Sequence, residues 1–564
     1  MVTRILKVFH QEFSGLHKAA LILASSSAAS SLLGLLRDRL LAGNFGAGRS
    51  LDIYYAAFKI PDFLYTFLLS VVSVTVLIPF FLEKISFSKE KGRAFLNNTF
   101  TFFSLIAFVL GAAVFFFIPY LSAAVAPGFS VEDQRQLVSV TKILLFSPLL
   151  LGLSNLFSSV TQSYNRFFIY ALSPIFYNLG IILGIIFFLP VYGINGVAIG
   201  VVLGAFMHFV IQIPIVAKLG FFPTISLNSL KINFDETWKV IKLSFHRTFG
   251  LSLNQLVFVF VTAIASFLGA GSIAVFNLSF NLQSGPLAVI GVSYGAAAFP
   301  TLAKFFVNNQ KKEFVEHTVS AIRQIVFWSI PAAMMIIVLR AQIVRIVLGS
   351  SERFDWQDTR LTAAALALFA VSVTAQSLII LLVRSFYAAG KTWKPTFINA
   401  GSSVFIILLS FWIVKSVKAP LFFKDLFESI LRVEGVRGTD MLVLPLIFSS
   451  GMILNVIFLF FLFQKEFGDI WVFVRKAFFQ VLTASFLMSA VCYFFLGVLT
   501  KIFDINTFIG IFSQGLISAV LGGGVWYFIL RLMGNRELEE IVISLKQKFW
   551  RTPVIAPEPE VLDR

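Results

Sequence analysis

Cysteine is all but missing. The chain of 564 residues has one, Cys492, which excludes an intrachain disulfide framework and stands in an apolar run as a small core hydrophobe. Histidine is nearly as rare: the five (His10, His17, His208, His246, His317) are scattered, no HExxH or paired-cysteine spacing occurs, and no catalytic constellation stands out. The expectation is a protein that is not an enzyme and needs no cofactor. A nucleotide-binding loop is also absent. "AAGKT" at Ala388–Thr392 copies the end of one, but the glycine required five places before Gly390 is Ser385. Charge is scarce at 13% of residues, against 58% hydrophobic ones and a mean hydropathy of +0.88. A soluble domain of this length could not hide so much apolar side chain, so the chain is an integral membrane protein.

What charge there is sums to +17, in short Lys and Arg clusters between apolar runs, and no basic domain stands apart to hold nucleic acid. The basic-then-apolar start resembles a signal peptide, but its apolar stretch is too long for one and reads as a retained first span. With about 20 apolar residues needed per crossing, fourteen helical spans are predicted. They lie at about 19–43, 53–82, 95–118, 137–161, 168–190, 194–217, 240–268, 273–303, 316–347, 361–388, 394–415, 440–464, 473–500 and 507–533. Basic residues favour the loops after spans 2, 6, 8, 10 and 12, which predicts cytoplasmic termini. The segment 415–440, of mixed sign, is the exception.

The chain repeats itself. "FGAG" at Phe45–Gly48 returns as "LGAG" at Leu268–Gly271. "IPFFLEK" around Pro79 returns as "FPTLAKF" around Pro300. "SYNRFFIYALSPIFYN" returns as "VRSFYAAGKTWKPTFIN", with Pro174 matching Pro395 and Asn178 matching Asn399. Matches in one order at nearly one offset indicate duplication. The expected fold is an all-α polytopic membrane protein. It has two six-helix lobes, 1–232 and 233–466, related by a parallel repeat, and two added helices at 467–534. Past them, 535–564 gives an amphipathic cytoplasmic helix and a disordered tail. Parallel repeats suit a transporter whose lobes rock about a central cavity. Without a nucleotide site, transport would draw on a coupling cation, the membrane potential or the substrate gradient.

The stretch "GLLRDRLLAGNFGAGRSLDIYYAAFKIPDF" (Gly34–Phe63) breaks the avoidance of charge. Charges at membrane depth are costly and face a cavity or a partner. Arg37 and Lys59 are read as cavity residues, whereas Arg39 and Arg49 suit lipid headgroups equally well. Lys59 and Asp62, three apart, are placed to pair, with Asp52 two turns earlier on the same face and Pro61 loosening the helix. A cationic cavity would hold an anionic headgroup such as a phosphate, which guanidinium binds in a fork. The serine- and alanine-rich Ala24–Ser31 segment reads as helix packing. Asn254, Gln255 and Asn399 read as interhelical hydrogen-bonding groups or as holders of a cation.

The Gly34–Leu64 stretch resembles the first-to-second helix signature of the MurJ (MviN) lipid II flippases. "RSFYAAGKTWKPTFIN" resembles their tenth-to-eleventh helix signature, and "LGAGSIAVFNLSFNLQSGPLAVIGVSYGAAAFPTLAKF" their eighth helix. The resemblance implies a flippase that carries undecaprenyl-linked peptidoglycan precursor outward across a bacterial cytoplasmic membrane by alternating access. It implies that Arg37, Asp38, Asp52 and Lys59 form the substrate site, with Arg37 at the pyrophosphate. Further cavity arginines of the family fall on Ser31, near Tyr65 and near Asn281. The resemblance therefore leaves three options: a less anionic or differently built lipid-linked sugar, cations from elsewhere, such as Arg247 or Arg384, or a loss of transport. Two other readings stay open: a polysaccharide-unit or drug exporter of the same superfamily, and a non-transporting scaffold for cell-wall synthesis proteins.

Overall fold

The computed structural model describes residues 16–72, 74–224, 252–349, 351–416 and 421–549, and every regular element among them is helical. The helices of the first half are α1 (Leu16–Phe45), α2 (Arg49–Ala57), α3 (Lys59–Val72), α4 (Val74–Phe87), α5 (Lys89–Val125), α6 (Val131–Leu144), α7 (Phe146–Ser163), α8 (Phe167–Leu183), α9 (Ile194–Val210) and α10 (Ile213–Lys218). Then follow α11 (Ser252–Ala265), α12 (Ser272–Pro286), α13 (Ser293–Val307), α14 (Lys311–Leu348), α15 (Trp356–Ala370), α16 (Val373–Ala388), α17 (Trp393–Ser416) and α18 (Leu421–Leu431). The last are α19 (Val443–Phe467), α20 (Trp471–Leu499), α21 (Phe508–Leu532) and α22 (Arg536–Phe549).

Ten of the described helical stretches are long and apolar enough to cross a membrane, and eleven if α15 and α16, bent by 41°, count as one. Phenylalanines such as Phe108, Phe116 and Phe486 stand exposed on them, as a lipid solvent permits. The chain is a multi-pass membrane protein. Expected spans 1, 2 and 7 are the three outside that set. The first corresponds to α1, and the seventh corresponds in part to α11, a shorter apolar helix whose preceding residues lie outside the described ones. The second is divided among α2, α3 and α4. Its first break comes at Phe58, just before the turn that holds Pro61, whose missing N–H cannot continue the ladder.

The chain divides into two compact units. One contains the described parts of Met1–Gly285, Ile343–Phe369 and Thr396–Leu454, the other those of Pro286–Gln342, Ala370–Pro395 and Asn455–Arg564. In the first, Phe81, Phe103, Phe157 and Phe221 anchor a buried cluster. There α8, with Gly184 just past its end, meets α9 glycine to glycine: a Cβ on Gly180 would lie 2.3 Å from Gly204 Cα, and one on Gly184 2.4 Å from Gly200 Cα. Small residues four apart let two helix backbones touch, and dispersion then acts along their whole length.

In the second unit, Gln514 on α21 donates to the Leu496 carbonyl (2.9 Å) and Thr500 Oγ1 (2.7 Å) of α20 and its C-cap. The amphipathic α22 starts at Arg536. Asn535 is fully buried, caps it through Leu538 N (3.0 Å), and donates to Gln480 Oε1 (3.0 Å). Glu537 forms a buried ion pair with Arg323 of α14. The expected disordered end from 550 onward lies outside the described residues.

Two helix ends close alike. After α7 the chain turns through Asn165 (φ 55°) and after α16 through Gly390 (φ 70°). Both turns close with a bond from the next N–H to a carbonyl five residues back: Arg166 to Thr161 (2.8 Å) and Lys391 to Phe386 (2.9 Å). The GAG turns differ in detail: the first uses Gly46 as its left-handed residue (φ 62°), the second Gly271 (φ 91°).

Candidate functional site

Helix α1 carries Arg37 and Asp38 side by side, and the guanidinium forks onto one carboxylate oxygen. Arg37 Nε and Nη2 lie 3.0 and 2.8 Å from Asp38 Oδ1. Nη1 donates to Asn178 Oδ1 of α8 at 3.2 Å. That amide is itself held by Ser30, whose carbonyl (3.3 Å) and hydroxyl (3.2 Å) accept from Nδ2. The small residues of α1 thus do more than pack, since Ser30 orients the amide that orients Arg37. Asp38 is buried, while the Arg37 side chain keeps 22% of its surface. Asp38 Oδ2 accepts from Asn281 Nδ2 of α12 at 3.1 Å. The residue near which the resemblance puts an arginine is here an amide bound to the acid.

Lys59 departs from expectation. It does not pair with Asp62: its ammonium donates to Asn277 Oδ1 at 3.1 Å and lies 5.6 Å from the ring centre of Phe258. Phe258 belongs to a phenylalanine cluster with Phe276, Phe280, Phe369 and Phe448. A lysine over an aromatic face keeps part of its electrostatic stabilisation without water. Asn277 Nδ2 donates back to the Ile273 carbonyl (2.7 Å), so its oxygen is the end offered to Lys59.

Asp52 is fully buried and stands in the first turn of α2, but it acts on another helix. Its oxygens accept from Gly271 N (2.7 Å) and Ala274 N (2.8 Å) at the start of α12. Both are N–H groups that a helix start leaves unpaired, and the helix dipole adds to the attraction. Around it the two GAG turns interlock. Gly271 lies so close to Ala47 that a Cβ would sit 1.8 Å from its carbonyl oxygen, and Ala47 N donates to Asp358 Oδ2 of α15 at 2.9 Å. Arg353 and Ser351 donate to the carbonyls of Asn44 and Gly43. Arg39 and Arg49, weighed as headgroup-facing, have internal partners. Arg39 donates to the Ile346 carbonyl, and Arg49 lies between Asp52 (3.6 Å) and Asp133 (3.5 Å), 4.8 Å from the centre of the Phe129 ring.

The structure therefore joins Arg37, Asp38 and Asn281 in one hydrogen-bonded set, while Lys59, through Asn277, and Asp52, through Gly271 and Ala274, reach the same helix α12 by separate bonds. The other candidates are elsewhere. Asn254 is exposed on α11, and Asn399 stands in the second turn of α17, its carbonyl accepting from Ser403 Oγ (2.9 Å). Arg384 belongs to the other compact unit, where it reaches the Val292 carbonyl at 3.5 Å. Arg247 lies outside the described residues. Among the described residues no group of acids, histidines and cysteines is placed to hold a metal. Sequence reasoning missed Asn277 and Asp358. For Asn277 a signal existed: with Asn281 it puts two amides four apart on one face of an apolar helix.

The family model described as "Lipid II flippase MurJ" matches residues 41–513. The chain belongs to this family. A "Probable lipid II flippase MurJ" of Buchnera aphidicola subsp. Schizaphis graminum is 30% identical over 375 residues, 65% of this chain and 71% of that protein. The "Lipid II flippase MurJ" of Burkholderia cenocepacia is 26% identical over 398 residues, 68% of this chain and 76% of its own length. Among solved structures, one titled "Lipid II flippase MurJ, inward closed conformation" shares the fold. Its TM-score is 0.70 at 24% identity, covering 90% of this chain and 99% of that one. An inward-facing MATE transporter of the MOP superfamily gives 0.60 at 12% identity, over 80% and 98%. These two matches concern fold alone. Against MurJ membership, the site's charge is notable for its balance: Arg37 is matched by Asp38, and the position near which a second arginine was expected is Tyr65, whose hydroxyl accepts from Asn155 at 2.7 Å.

Proposed function

We propose that the protein is a lipid II flippase, carrying the undecaprenyl-linked peptidoglycan precursor from the inner to the outer leaflet of a bacterial cytoplasmic membrane. The observation that supports this most is the MurJ family match over residues 41–513. In this reading both termini are cytoplasmic, the six-helix lobes 1–232 and 233–466 alternate access, and helices 467–534 accompany them. The interlocked GAG turns are then the closed outward end. Arg37, already forked on a carboxylate and still partly exposed, is the group that exchanges Asp38 for a diphosphate oxygen pair. Lys59 supports it. The chain performs no covalent chemistry, and the driving force is an ion gradient or the membrane potential.

The test is headgroup translocation in vesicles carrying the purified chain and lipid II. Arg37→Ala removes charge-assisted bonds worth about 1.5–3 kcal/mol, and initial flipping should fall about 10- to 150-fold. Flipping of lipid II at the rate of protein-free vesicles by the unaltered chain, with transport of another lipid-linked sugar, would replace the substrate. A wild-type rate for Arg37→Ala would remove Arg37 from the headgroup site.

A further inference from the structure

Helix α12 is held to the first half of the chain at three successive places along one face. Asp52 holds Gly271 and Ala274, Lys59 holds Asn277, and Asp38 holds Asn281. The first hold is sealed: Asp52 is fully buried and both its oxygens are engaged. The second joins a full charge to a neutral amide, and a phosphate oxygen is a far stronger partner for an ammonium than an amide oxygen is. We propose that Asn277 is a substrate-sensing switch residue, which keeps Lys59 occupied and α12 docked until a phosphate-bearing headgroup takes Lys59 away. Asn277 can give up the lysine cheaply, because its own NH2 stays bonded to the Ile273 carbonyl of its helix. Headgroup arrival at Arg37 and Lys59 thereby removes the middle hold on α12, leaving the Asp52 clamp as the main restraint on the GAG turns. This deepens the lipid II reading and rests on it. It also gives binding a route to the far end of α12 that needs no strain elsewhere.

The experiment uses the full chain with Cys492→Ser and spin labels at Ser50→Cys and Ala270→Cys, two exposed positions, the first just after one GAG turn and the second within the other. Distances are measured by pulsed electron resonance in vesicles with and without lipid II, with inorganic pyrophosphate as the probe of phosphate chemistry alone. The expected result is a longer distance population in the unaltered chain with lipid II. In Asn277→Leu the distribution should be the same with and without lipid, and lipid retention equal to or several-fold above wild type. Asn277→Asp, which pairs Lys59 ionically, should need at least about 10-fold more lipid for the same change, and Asn277→Gln should restore wild-type behaviour. An equal lipid-dependent change in Asn277→Leu and wild type would overturn the switch. So would flipping by the unaltered chain with no lipid-dependent distance change. If the unaltered chain neither binds nor flips lipid II, the functional reading has failed and takes the switch with it.

Discussion

Replacing Asp52 should unfasten the start of α12 without touching a substrate-accessible group. Each oxygen accepts one backbone N–H, at 2.7 and 2.8 Å, and such charge-assisted bonds are worth about 1.5–3 kcal/mol each. Their sum overstates the effect, because the buried carboxylate also carries a desolvation cost that its removal returns. Asp52→Asn keeps one acceptor but turns an NH2 toward the other N–H, and a net loss of about 2–4 kcal/mol follows. At 1.4 kcal/mol per factor of ten, the ratio of docked to undocked α12 falls about 30- to 1,000-fold. A docked state favoured by a few kcal/mol would then share its population with the undocked one. Labels at Ser50 and Ala270 should report a second, longer distance in lipid-free vesicles. Flipping should slow, because the end that must close between turnovers no longer does so firmly. A single wild-type distance together with a wild-type rate in Asp52→Asn would refute the assignment of these two bonds as the clamp.

Two further outcomes follow from packing and capping. Gly200→Leu puts a Cβ about 2.5 Å from Gly184 Cα, which no rotamer relieves, so α8 and α9 must part; overpacking of this kind costs about 1–3 kcal/mol. The detergent-purified variant should melt several degrees below wild type, while Gly523→Ala on α21, with open space around it, should not. Asn535→Ala removes the cap of α22 and the donor to Gln480, a loss of about 1–2 kcal/mol. Hydrogen exchange over 536–549 should speed about 5- to 30-fold, and unchanged protection would show that the Arg323–Glu537 pair holds the helix alone.

Composition and periodicity read the architecture well, because a bilayer leaves helices as the only described regular structure and sets their length. The spans they read least well are those whose helix is interrupted: the second, which turns at Phe58 before Pro61, and the tenth, bent between α15 and α16. Asn178, one of the asparagines matched between the two halves of the sequence, is the amide under Arg37. Partners were not legible. Spacing made Lys59–Asp62 plausible, because three residues along a helix bring side chains together. The observed partner, Asn277, is 218 positions away, where no local rule reaches. Asp52 stands in the first turn of α2, a helix that ends before Lys59. The helix start that it serves is that of α12, 219 positions on at Gly271.

A balanced site suits a carrier better than a strongly cationic one would. A headgroup that crosses must be released on the far side, so a binding energy held only in the loaded state would trap it. On the proposed reading, with Arg37 resting on Asp38 and Lys59 on Asn277, every bond to a phosphate would be an exchange, and its net strength the difference between two partners. That difference is small enough to reverse once α12 moves and Asp38 and Asn277 return. On this logic the amide at Asn281, near which the resemblance puts an arginine, is a gain. It steadies Asp38 as the acceptor to which Arg37 goes back, and Asn281→Leu should slow lipid release more than lipid binding in the vesicle assay.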